Sequence, residues 1–205
     1  MIRKNVINYK LNLQNHATKS LYEEFLKSFH PEGERCPSCG ALGQCRLYAS
    51  YDRNIVDLID GKPVSNLLHI CRVLCTCGHS HAILPDFIVP YRQYSLLFIL
   101  YILQVCFTHS MTLEEILIRF GVSHQLLKRW KEAFGKHKDL WLGIVRSRLV
   151  SFRGFLEQLL SLDPFSGFTN GFYRKTLYSF LQSHGNPANC RRHPPGFLFP
   201  GPACT

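Results

Sequence analysis

Two pairs of cysteines carry the most specific chemistry in the chain. Cys36-Pro-Ser-Cys39-Gly40 has the form of a metal knuckle: two thiolates at this spacing can share one ion, and the following glycine lets backbone amides turn toward the sulfurs. Cys77-Gly78 repeats that ending, but its nearest cysteine, Cys75, stands one residue closer than the usual spacing. A tetrahedral site needs four ligands, so the expected set is Cys36, Cys39, Cys77 and Cys75. Cys71, His79 and His81 are alternatives for the last position, because imidazole and thiolate both suit zinc. The expected ion is Zn2+, one per chain. The competing interpretation is a group of buried structural thiols, since free cysteine is among the most buried residue types.

A second chemistry lies in Thr112-Leu-Glu-Glu-Ile-Leu-Ile-Arg-Phe-Gly-Val-Ser-His-Gln-Leu-Leu-Lys-Arg-Trp130. Thr112 and Ser123 are both good helix N-caps, and Glu114 and Glu115 stand in a first turn, where the helix dipole favours them. Gly121 falls in the joint, where a positive φ costs glycine little. Ile116, Phe120, Val122, Leu127 and Trp130 take the spacing that locks two helices at a steep angle. His124, Gln125, Lys128 and Arg129 then point outward, able to donate to base edges and phosphates of double-stranded DNA, with Ser123 opening the helix and Lys131 near phosphates. From Arg119 to Arg153 nine Lys or Arg (119, 128, 129, 131, 136, 138, 146, 148 and 153) face two acids, Glu132 and Asp139, a local surplus of seven. That concentration is the footprint of a duplex binder. An ordinary helical hairpin with a solvated basic face would also carry it.

These residues must be held by elements that the rest of the sequence supplies. The chain has 205 residues, 46% hydrophobic, which is enough for a packed core, and its formal net charge of +10 favours a polyanionic partner. Nine cysteines, an odd number in close pairs without a visible secretory signal, fit metal ligation in a reducing compartment better than disulfides. Cytoplasmic, nucleoid-associated localisation is the expectation. Ser95 to Phe107 is apolar over 13 residues, short of the roughly 20 that span a bilayer, and reads as a buried helix; no membrane partner is expected. It could also pack against a second copy, so a homodimer is open.

Ser20 to Phe29 has helical spacing, as an amphipathic helix or arm. Arg46 to Leu74 reads as short strands turning at Asp60-Gly61. From Tyr91 the pattern becomes helical: Tyr91 to Phe107, Thr112 to Phe120, Ser123 to Phe134, Leu140 to Leu160, and a weaker helix from Phe172 to Gln182. The expected organisation is an N-terminal helical arm over 1–32, a zinc-ribbon-like module over 33–90, a helix-turn-helix domain over 91–138, C-terminal helices over 139–185 and a Pro/Gly-rich basic tail over 186–205. The tail holds Cys190-Arg-Arg-His193, a possible second metal pair or groove contact. The fold class is α+β, a small β-rich zinc ribbon followed by an all-α helix-turn-helix domain with additional C-terminal helices.

The helical segment resembles the DNA-binding units of bacterial repressors and transposases, with Leu117 a departure where those usually have a small residue. Cys36-Pro-Ser-Cys39-Gly40, Tyr51-Asp-Arg53, Ile70-Cys-Arg-Val-Leu-Cys75, His81-Ala-Ile-Leu-Pro85 and Val89-Pro-Tyr91 together resemble an uncharacterised bacterial family of the DUF6431 type. That family is in turn similar to the N-terminal zinc-ribbon and helix-turn-helix portion of insertion-sequence transposases of the ISL3 kind. The resemblance covers about residues 33 to 135 and implies zinc, DNA and a mobile-element origin. A transposase of that kind would add three carboxylates holding two divalent metals. After the helical pair the only acids are Asp139, Glu157 and Asp163, so no catalytic domain is expected. No phosphate loop or nucleophile elbow appears, and the chain reads as a non-enzyme: a DNA-binding regulator, or an accessory or truncated transposase product, with a zinc-stabilised protein-interaction module as the alternative.

Overall fold

The computed structural model describes residues 2–4, 17–145, 150–162, 165–176 and 178–182. Their order is β1 (Ile2–Lys4), α1 (Thr18–Lys27), a 3-10 turn (Pro31–Gly33), β2 (Cys45–Ile59), β3 (Lys62–Cys75), β4 (Ser80–Pro85), α2 (Leu96–Thr108), α3 (Leu113–Phe120), α4 (His124–Ile144), α5 (Phe152–Leu160) and α6 (Phe165–Thr176). The class is mixed α+β. The sheet runs β1-β4-β3-β2, antiparallel throughout except that β1 lies parallel to β4.

β2 and β3 form one long hairpin. Asp60 and Gly61 both take left-handed φ (49° and 71°), the geometry whose twist matches paired strands, and Ile59 faces Lys62 across the turn. The register shifts between Leu47 and Ala49, which leaves Tyr48 with no residue opposite. β1 and β4 are not expected from the residue pattern: β4 is six residues long and pairs with β3 only from Arg72 to Leu74.

α1 starts at Thr18, two residues before its expected start, and lies against the sheet instead of standing off as an arm. Tyr22 is fully buried; its hydroxyl donates to the Ile83 carbonyl (3.2 Å) and accepts from the Cys71 amide (2.9 Å). Asp57, buried on β2, accepts from the Thr18 amide (2.9 Å) and hydroxyl (2.5 Å). A strand carboxylate thereby satisfies one of the amide donors that a helix start leaves open.

α2 is buried almost all round, as a helix without a polar face must be, and no described helix is long and apolar enough to cross a membrane. Ser95 caps it, its Oγ accepting from the Phe98 amide at 3.1 Å. The expected Leu140 to Leu160 run is two elements, α4 ending at Ile144 and α5 beginning at Phe152. The last helix also lies earlier than Phe172 to Gln182, because Phe165, Phe168 and Phe172 are the buried stripe of α6, Phe168 and Phe172 packing on Trp141 and Phe180. Cys190, Arg191, Arg192 and His193 lie outside the described residues.

Candidate functional site

The sheet brings the two cysteine knuckles together at the open end of the hairpin. In the first, the Cys36 amide donates to Ala41 O (2.9 Å) and the Gly40 amide to Cys36 O (2.9 Å), a tight turn that needs the positive φ of Gly40, 76°. In the second, Cys75 closes β3 and Cys77 sits in the turn into β4; the Cys75 amide donates to His79 O (3.0 Å), and Gly78, at φ 85°, donates to Cys75 O (2.9 Å). The reversal of the chain within that turn makes the shorter Cys75-x-Cys77 spacing sufficient.

The sulfurs of Cys36, Cys39, Cys75 and Cys77 all lie within 4.8 Å of one another and could hold a metal ion. Cys36 and Cys77 are 3.8 Å apart and Cys39 and Cys75 3.7 Å, with Cys36 and Cys75 buried and Cys39 and Cys77 exposed. The Cys77 backbone amide lowers the Cys75 thiol to about 6, whereas burial raises that of Cys36. Of the alternative ligands, Cys71 packs beside Tyr22, and His79 lies 3.5 Å from the Cys77 sulfur. His81 stands behind the quartet with Nε2 3.3 Å from the Cys36 sulfur, and burial brings its pKa down to about 4. A neutral imidazole there can donate one hydrogen bond to a thiolate, the supporting role that outer partners play around metal ligands.

One neighbour of this cluster is not anticipated from the sequence. Cys45 stands opposite Cys75 across the hairpin, buried, and burial first and the nearby Cys75 second raise its thiol to about 11. The signal was the hairpin itself, but a turn at Asp60-Gly61 without the shift at Tyr48 would place Cys45 opposite Thr76.

At the far end of the hairpin, α3, a short joint and α4 pack on α2. Thr112 forms a reciprocal cap with Glu115: the Glu115 amide donates to Thr112 Oγ1 (3.3 Å), and the Thr112 amide donates to Glu115 Oε2 (2.7 Å). Accepting that amide hydrogen lowers the Glu115 pKa. Gly121 ends α3 at φ 61°, and Ser123 caps α4 by accepting from the Leu126 amide at 3.2 Å. Ile116, Phe120, Val122, Leu127 and Trp130 are all buried, with Phe120 edge-on to Tyr101 (5.8 Å) and Trp130 edge-on to Phe98 (6.2 Å). Leu117 is half-buried against the same core.

Ser123, His124, Gln125, Lys128 and Arg129 are exposed, and Lys131 is half-buried. The local positive charge reaches the surface less completely than the residue count suggests. Lys138 is buried: its Nζ donates to Val150 O (3.0 Å), sits 4.9 Å above the Phe152 ring centre and lies 3.2 Å from Asp139. Arg153 is paired with Glu157 at 2.7 Å. Arg119, Lys128, Arg129 and Lys136 remain exposed. Burial first and the Arg129 charge second lower the pKa of Arg92, which nothing in the local sequence singles out.

Compared with known proteins, residues 36–130 match a family model described as a domain of unknown function, DUF6431, a span that holds both cysteine pairs and ends at Trp130. No curated protein and no solved structure matches the chain.

Proposed function

We propose that this chain, whose residues 36–130 carry that domain of unknown function, is a zinc-stabilised DNA-binding protein that uses α3 and α4 as a helix-turn-helix on duplex DNA. The observation that carries the reading is the division of α4. Leu127, Trp130 and Phe134 are buried, while His124, Gln125, Lys128 and Arg129 stand exposed at its N-terminal end, the part of a recognition helix that meets base edges. Of these residues, Gln125 can pair with adenine through two hydrogen bonds and Lys128 can donate to guanine, while Arg129 and the half-buried Lys131 suit phosphates.

Zinc is the ion the four thiols suit best. Thiolates about 2.3 Å from a tetrahedral zinc lie about 3.8 Å from one another, and two sulfur pairs here are 3.8 and 3.7 Å apart. All-sulfur tetrahedral sites favour zinc or iron, and a closed set of four leaves no position for substrate. Cys36, Cys39, Cys75 and Cys77 would thus hold a structural ion that ties residues 36–39 to the β3–β4 turn. The protein acts by binding, as a regulator or as an accessory of a mobile element, and not as an enzyme.

The test is equilibrium binding to duplex DNA across a salt series. Each phosphate neutralised contributes about 0.9 to the slope of log K against log salt, so several contacts make affinity fall steeply. Binding that is absent at low salt, or insensitive to salt, overturns the reading. A protein-interaction module is the second reading; it is favoured by the exposed apolar residues Ile118 and Leu113 on α3, and it expects no duplex affinity.

A further inference from the structure

The tip of the β2–β3 hairpin meets the helical unit at a defined point. Leu58, just before the turn, is fully buried, and β3 lies in contact with α3. The turn is the tight two-residue kind, with Asp60 and Gly61 both at left-handed φ (49° and 71°), so backbone conformation sets its shape. A methyl group placed on Gly61 would stand 3.7 Å from Arg119 Nη2, which puts the Arg119 guanidinium against the turn. The same guanidinium lies 5.5 Å from the centre of the Phe120 ring, a second support that holds it at the end of α3.

The two strands of the tip differ in what they face. Lys62, Pro63, Val64 and Ser65 of β3 are exposed in succession, whereas the residues opposite them on β2, Ile59, Leu58, Asp57 and Val56, are buried or half-buried. Lys62 follows Gly61 directly, so its backbone lies one residue from the Arg119 contact. Lys62 and Arg119 are both exposed, and neither forms an ion pair among the described residues. Glu115, one helical turn before Arg119, is taken up by the cap on Thr112. Two cations held on a rigid tip without a carboxylate partner are complementary to a polyanion.

The chain itself limits how far this pair stands from α4. Arg119 precedes His124 by five residues, so their Cα atoms are at most about 18 Å apart even along an extended chain, and Gly121 turns the chain between them. A helix in a major groove about 12 Å wide has a phosphate backbone along each side. We propose that the hairpin tip is a second arm of the DNA-binding surface, in which Lys62 and Arg119 hold the sugar-phosphate backbone beside the groove that α4 enters. The occupant is duplex DNA, and the proposal rests on the DNA-binding reading above. Contacts of this kind fix the register of α4 on the duplex and carry no base information.

Equilibrium binding of the full chain to duplex DNA across a salt series tests this, using wild type, Lys62→Gln, Arg119→Gln and Asp60→Asn. K62Q and R119Q should each flatten the salt slope by about one and weaken all sequences alike, with base preference unchanged. Lys62 is exposed and unpaired, so K62Q tests the arm even where R119Q lowers the Tm. D60N should act in the opposite direction. Asn-Gly is a pair that such turns favour, so the turn is kept while a negative charge leaves the tip, and affinity should rise at low salt by a margin that fades as salt screens it. Steep wild-type binding with K62Q and D60N indistinguishable from it overturns the arm and leaves the α4 reading intact. A flattened slope in K62Q, with base discrimination untouched by Gln125→Ala and Lys128→Ala, keeps the arm and overturns α4 as the reader. Wild type without duplex affinity overturns both.

Discussion

On α4, neighbouring side chains have opposite destinies because 3.6 residues per turn sends Trp130 inward and its neighbour Arg129 outward. Trp130→Ala should destabilise the protein by about 3 to 5 kcal/mol and remove DNA binding indirectly. Its indole Nε1 is buried without a partner, so Trp130→Phe, which keeps the ring and omits the N–H, should cost much less than Ala; denaturant melts of the two variants check this. For the exposed residues, Gln125→Ala or Lys128→Ala should relax preference at one base position by roughly 1 to 3 kcal/mol. Arg129→Ala or Lys131→Ala should weaken all sequences alike. A selected target and its mismatched versions, titrated in parallel, separate these outcomes; identical discrimination by parent and Gln125 or Lys128 variants would refute the assignment of base readers. At the quartet, elemental analysis of metal-replete protein should give one zinc per chain, and Cys36→Ser should lose it. Less than half an equivalent in the parent contradicts the site.

Between α3 and α4 the decisive features are the ends of the helices. A methyl group at Gly121 would meet nothing within 4 Å, so the cost of Gly121→Ala is conformational alone, set by its φ of 61°, and should be about 1 to 2 kcal/mol. Thr112→Ala removes the hydroxyl that accepts the Glu115 amide and should cost about 1 kcal/mol. The Glu115 side of this cap is pH-dependent. Its folded pKa is lowered, so its contribution is present above the unfolded carboxylate value of about 4.3 and is lost as pH falls through the folded value. The stability difference between parent and Glu115→Gln should therefore shrink from neutral pH to pH 3, which thermal melts at the two pH values measure. A difference that grows instead would contradict the cap. The N-cap hydroxyls and the glycine after the last apolar position were legible in the residue order, because capping is local, while the reciprocal contact from Glu115 back to Thr112 was supplied by the structure.

Across the whole molecule the hairpin acts as a strut. From Cys45 at its open end to Val56, where Gln93–Ser95 joins the edge, eleven residues at about 3.3 Å each span roughly 36 Å. The cysteine quartet and the α2–α4 unit thus occupy opposite ends, although a continuous buried core links them. Chelation should then loosen the protein unevenly. Hydrogen exchange should rise across residues 35–50 and 71–82, while α2, α3 and α4 keep their protection and duplex affinity persists. Uniform loss of protection would show that the ion holds the entire core.

Hydrophobic period and helix-end chemistry determined α3, the start of α4, the body of α2 and the Asp60-Gly61 turn from residue order alone, since each is decided within one or two turns of chain, whereas the run of α4 past Phe134 to Ile144 and the non-helical start at Tyr91 were not read there. The first knuckle was legible for the same reason. The tertiary structure decided what depends on partners distant in sequence. One such feature is the register shift at Tyr48, which sets Cys45 opposite Cys75. Another is the meeting of Cys36 and Cys39 with Cys75 and Cys77 in preference to Cys71 or His81. Burial of Lys138 over Phe152, which withdraws one of the nine counted cations, is a third. Composition registers a charge wherever it lies in the chain. Whether that charge faces solvent, a ring or another charge follows from packing between elements, and one sequence window contains only one side of such a contact.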